Sequence, residues 1–105
     1  MRNRLLSLLL LSLYGSMLFA QEPLDINDVE RVPLGDFTYQ WRNIYDRTPL
    51  HGKCRIILSY RSYTIAHFNK DGILDGLYEK YEDNHLVQKL TYVKGILRGK
   101  GYEYY

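Results

Sequence analysis

The chain has 105 residues, 14 basic and 12 acidic, with 46% hydrophobic and 14% aromatic content. That length supports one small domain with a modest core. A lone Cys54 excludes an internal disulfide framework, and the near balance of charge excludes the strongly basic footprint of a nucleic-acid binder.

The N-terminus reads as a secretory signal peptide over residues 1–20. Arg2 and Arg4 give a charged start, and Leu5 to Leu13 is an apolar run broken only by Ser7 and Ser12. Ala20 supplies a small residue at the cut. The run falls short of the about 20 apolar residues a membrane-spanning helix needs, and no cysteine follows it to take a lipid. Export to the periplasm or the cell exterior is expected. Loss of Arg2 and Arg4 takes the basic count from 14 to 12, equal to the 12 acidic residues, so the mature chain is neutral. Neither nucleic acid nor anionic lipid is then attracted by net charge.

Residues 21–36 are polar, with Pro23, Pro33 and Gly35, and predict a flexible lead-in with a short turn of helix at Asp25 to Glu30. From residue 37 to 105 the pattern is β. Phe37, Tyr39 and Trp41 alternate with polar neighbours and predict three aromatics on one strand face. Cys54, Ile56, Leu58 and Tyr60 predict a second strand, with Cys54 either a buried structural thiol or one half of an intermolecular disulfide. Further strands are expected at Ser62–Phe68, Leu77–Glu82, Leu86–Val93 and Lys100–Tyr105. Turns at Asn69–Gly72, Glu82–Asn84 and Lys94–Gly95 separate them. The fold class is all-β, with no helical period beyond the leader.

Two five-residue strings recur 23 positions apart, Gly72-Ile-Leu-Asp-Gly76 and Gly95-Ile-Leu-Arg-Gly99. Extended upstream, the pattern gives three copies, opening on Tyr45, Phe68 and Tyr92 and aligned at Gly52, Gly76 and Gly99. A fixed period marks a repeat architecture. Gly72 and Gly95 are expected to supply positive φ at turns, and Leu74 and Leu97 to be held inward.

The chemistry of an enzyme is not written in this sequence. His51, His67 and His85 lack zinc-ligand spacing. The Asn69–Asp75 segment lacks the acid that closes a calcium loop, with Tyr78 standing in its place. Glu79, Glu82, Asp83 and Glu103 show no paired-carboxylate spacing, and His51 near Cys54 lacks a third orienting group. No cofactor, metal or catalytic residue is expected.

An aromatic, then a turn glycine, Leu-x-Gly and a short strand ending in tyrosine resembles the MORN repeat (membrane occupation and recognition nexus). It is most similar to the bacterial variant group that includes YwqK-type antitoxin-like proteins. The resemblance is carried by Gly72, Leu74, Gly76, Tyr78 and Tyr81, and by Gly95, Leu97, Gly99, Tyr102 and Tyr104. The first copy, around Gly52, is degenerate, with Thr48-Pro49 at the turn and Cys54-Arg55 at the aromatic position. The resemblance implies stacked antiparallel hairpins and a non-enzymatic recognition module, with the Phe37 strand as an N-terminal cap.

Three modes of action follow as expectations. The first is binding of an unidentified protein partner in the cell envelope, through an aromatic face or an open strand edge. The second is contact with lipid or glycan through Tyr78, Tyr81, Tyr102 and Tyr104. The third is an antitoxin or immunity role, by family analogy. The last strand, ending at Tyr105, is expected to lack a neighbour and to pair with a partner or a second copy. Tyr104→Pro is the substitution expected to block that pairing.

Overall fold

Left-handed residues decide where the strands reverse. The computed structural model describes residues 22–104, so the predicted signal peptide lies outside the described residues. The strands are β1 Leu24–Asp25, β2 Val29–Gly35, β3 Thr38–Asn43, β4 Gly52–Ser59, β5 Ser62–Phe68, β6 Leu74–Glu82, β7 His85–Val93 and β8 Ile96–Glu103. The hairpins β6–β7 and β7–β8 turn on Asp83-Asn84 and Lys94-Gly95, all four with positive φ. Such two-residue turns match the right-handed twist of the flanking strands. The all-β expectation is met, and the only helix among the described residues is a single 3-10 turn at Ile26–Asp28.

Strands β4 to β8 form an antiparallel meander, with β1 added in parallel beside β4, in the order β1-β4-β5-β6-β7-β8. The repeat is visible in its register. Gly52 pairs with Phe68 and Gly76 with Tyr92, so the glycine of one copy stands across from the aromatic that opens the next. Gly52, Gly76 and Gly99 all have positive φ, at 76°, 124° and 68°. Glycine meets that demand without steric cost.

Residues 22–36 are structure, not a flexible lead-in. Asp25 caps the 3-10 turn through its carboxylate, which accepts from the Asn27 amide at 2.8 Å. β2 then pairs with β3 from Val29↔Asn43 to Gly35↔Thr38 as a separate two-stranded sheet. Pro33 sits next to a register shift in that ribbon, where a missing ladder donor is tolerated. Phe37 is not on the strand face. It occupies the β2–β3 turn with φ 65° and is 96% exposed, leaving Tyr39 and Trp41 as the aromatics of β3. Tyr60 likewise falls in the β4–β5 turn and is exposed.

The β2–β3 hairpin closes one face of the meander at its β4–β6 end. Trp41, Leu50, Cys54, Ile56, Ala66, Phe68 and Leu74 form the buried core, with Leu24, Ile26 and Val29 packed against it. Burial of a large apolar side chain contributes roughly 1.5–3 kcal/mol, so this cluster dominates the stability of the domain. Trp41 and Phe68 rings meet at 5.5 Å. A backbone bond locks the hairpin to a repeat turn, Trp41 N donating to Gly72 O at 2.7 Å, and a second joins two successive repeats, Gly95 N donating to Leu74 O at 2.7 Å. Leu74 is buried in the core and so points inward as expected. Leu97 is not: it is 48% exposed, because the hairpin does not extend over β8.

Candidate binding site

A cleft of about 220 Å³ lies where the hairpin meets the meander. Its hairpin wall is built from Arg31 on β2, Tyr39 and Trp41 on β3, and Phe37 at the turn. Strand alternation puts Tyr39 and Trp41 on the same side, and pairing sets Arg31 directly across from Trp41. The Arg31 guanidinium carbon stands 5.4 Å from the Trp41 ring and 5.7 Å from the Tyr39 ring. That is within the range of cation–π attraction.

The meander supplies the other wall. Tyr78 on β6 and Tyr92 on β7 meet edge to face, with centroids 6.0 Å apart and planes at 71°. Leu74 and Gly95 complete the lining. A side chain at Gly95 would come within 3.0 Å of Ile73 Cγ2 and Thr38 Cγ2, so glycine keeps the turn tight beside the hairpin. The Tyr92 hydroxyl is held above its ordinary pKa, first by burial and then by Tyr78. The Tyr92 ring therefore stays neutral at physiological pH. The arrangement offers four aromatic side chains, a fifth at the rim and a single cation. It suits binding, and no nucleophile–base pair is assembled in it.

The four tyrosines named for lipid or glycan contact are distributed over three places. Tyr78 lines the cleft. Tyr81 is stacked on Tyr63 at 5.0 Å, and Arg55 lies over Tyr63 at 4.3 Å. Tyr102 and Tyr104 stack on each other at 6.5 Å at the far end of the meander. Of the other repeat residues, Leu74 and Gly95 line the cleft and Gly72 abuts the Trp41 backbone, while Gly52, Gly76, Leu97, Gly99, Tyr102 and Tyr104 do not line it. Arg31 carries only a faint sequence signal as a binding residue, because the polar, proline-containing segment around it predicts a flexible lead-in. The Val29–Arg31–Pro33 alternation opposite Tyr39 and Trp41 was the one trace of it.

A second cavity, about 320 Å³, runs along Arg55, Ser59, Arg61, Tyr63 and Asp83. There Arg61 already has Asp83 within 3.6 Å. Among the described residues no group of three or more His, Cys, Asp or Glu side chains could hold a metal. His67 Nδ1 is hydrogen-bonded to Leu77 O at 3.1 Å. The Cys54 thiol is fully buried, and burial pushes its pKa up.

No family model, curated protein or solved structure matches the chain.

Proposed function

We propose that the protein is an exported, non-enzymatic recognition module of the MORN-like type, which binds a protein partner through the cleft between hairpin and meander. The observation that carries this reading is the concentration of Phe37, Tyr39, Trp41, Tyr78 and Tyr92 around one open cavity. Aromatic residues dominate the energetics of protein contacts, and Phe37 is almost wholly exposed at its rim. Export rests on the charged and apolar pattern of residues 1–20.

Phe37→Asn is the clean test, because asparagine accepts the positive φ of that turn and removes the ring without touching the core. The parent is expected to retain a reproducible partner from native envelope extract, and Phe37→Asn to lose most of it while circular dichroism stays unchanged. Equal retention by both, or turnover of a small substrate by the pure protein, refutes the reading. Export is tested separately by N-terminal sequencing of the mature protein, expected to begin at Gln21.

One observation favours pairing at the strand edge as a second reading. All eight residues of β8 are exposed, and no described strand covers its outer side. Exposed edges are templates for further pairing. A concentration-dependent dimer in sedimentation equilibrium that Leu97→Lys dissolves supports it, and a monomer at all concentrations removes it.

A further inference from the structure

The cleft is lined by one charged side chain, Arg31, which has no counter-ion among the described residues. Among the described residues, no carboxylate or carbonyl accepts a hydrogen bond from Arg31. Its neighbour in the ribbon behaves differently: Arg42 Nε is bound to Glu30 Oε1 at 2.5 Å. Arg31 is instead steadied by the flat faces of Tyr39 and Trp41. Stacking occupies the face of a guanidinium and leaves its in-plane N–H groups free, in the fork geometry that matches a carboxylate. Arg31 is exposed, so those donors face solvent and are open to an incoming carboxylate.

Size narrows the occupant. The cleft, at about 220 Å³, is smaller than the roughly 300–1,000 Å³ of ordinary small-molecule pockets. That volume is of the order of one ring with one carboxylate. The carboxylate and the ring must also lie close together, because Arg31 stands against Trp41, which forms one side of the ring's site. A residue at a chain terminus carries both on a single Cα.

Resting on the protein-binding reading above, we propose that Arg31 makes the cleft a receptor for the C-terminal aromatic residue of the partner. The terminal carboxylate takes the Arg31 fork, and the side-chain ring lies among Trp41, Tyr78 and Tyr92. Capture of a terminal carboxylate is a recurring recognition mode of protein modules; here a guanidinium fork takes the place of backbone amides.

Trp41 is the only tryptophan in the chain, so its fluorescence reports directly on the cleft. The probes are N-acetyl-L-phenylalanine, which carries the carboxylate, its amide, which does not, and glucuronate, a sugar acid. N-acetyl-L-phenylalanine is expected to change Trp41 emission saturably in the millimolar range, about tenfold more tightly than the amide. Arg31→Gln is expected to bring the acid down to the level of the amide, and Arg31→Lys to keep only part of the difference, since an ammonium cannot fork. Equal binding of acid and amide to the parent, no saturable response to the acid, or a difference that survives Arg31→Gln overturns the proposal. Tighter binding of glucuronate than of N-acetyl-L-phenylalanine overturns the choice of a protein terminus. If acid and amide bind alike while Phe37→Asn still abolishes partner capture, the docking site stands and the carboxylate role alone fails. If Arg31-dependent preference holds but Phe37→Asn leaves capture intact, the protein-binding reading is what fails.

Discussion

The Trp41 amide donates to the Gly72 carbonyl at 2.7 Å, and a Cβ built on Gly72 would lie 2.5 Å from the Trp41 carbonyl oxygen. The two backbones approach as closely as glycine alone allows, and the φ of Gly72 is 76°. Gly72→Ala is therefore expected to cost roughly 3 kcal/mol or more, from left-handed strain and from overpacking against rigid backbone. Gly99→Ala, with φ 68° and open space around the added methyl, is expected to cost only about 1 kcal/mol. Urea unfolding of both variants checks the ranking; equal losses would show that φ, not the contact with Trp41, governs Gly72.

Thr64 is 1% exposed, and its hydroxyl has no hydrogen-bond partner within the protein. An unsatisfied buried hydroxyl is destabilising relative to a methyl of the same shape. Thr64→Val is expected to raise stability by about 1 kcal/mol, a gain of roughly 5 °C in melting temperature for a domain of this size. Calorimetry measures it directly, and a loss of stability would point to a bridging water at Thr64.

Alkaline pH is expected to weaken the fold. Burial raises the Cys54 thiol above its ordinary 9.0, and the Tyr81 and Tyr92 hydroxyls above their ordinary 10.0. In each case the folded state holds its proton longer than the unfolded state. Stability from these groups is thus complete below about pH 9 and falls as pH rises through their folded values. Cys54→Ala should flatten the first part of that fall, as read from urea midpoints across pH. In the native protein, Cys54 should react with a disulfide reagent only on unfolding.

Tyr104→Pro acts differently from the sequence expectation. The Tyr104 amide donates inward, to Val87 O at 2.8 Å, so proline there removes a bond to β7 and leaves the outer edge of β8 untouched. The expected result is faster amide exchange at the end of β8 and a loss of about 1 kcal/mol. Any self-association through the outer edge should persist.

The meander was legible because its information is local. Turn residues such as Gly72 and Lys94-Gly95 carry their own backbone demand, and period-2 alternation marks Cys54 and Ile56 as inward. Phe37 broke the alternation because it sits one residue before β3, in a turn whose geometry an aromatic side chain does not announce. β2 was missed because Pro33 and three charged or small neighbours mask a strand that is paired on one side only. Leu74 and Leu97 occupy the same place in the repeat, yet one is buried and the other is not. Their fates depend on where the hairpin lies, a tertiary fact absent from either string. For the same reason Arg31 could not be singled out: the cleft needs residues from β2, β3, β6 and β7 together.

The hairpin braces the meander at one end only, so the cost of opening should rise strand by strand from β8 inward. Its outermost strand has neighbours on one side and a face open to water, whereas β4 and β5 lie under Trp41 and Leu50. Such a molecule behaves less like a block that melts at once than like a zip anchored at one end. Amides of β8 should exchange first, those of β7 next and those of β5 last. Whatever occupies the cleft bridges the anchored end to the loose one through Tyr92, and should slow the exchange of β7 more than that of β5.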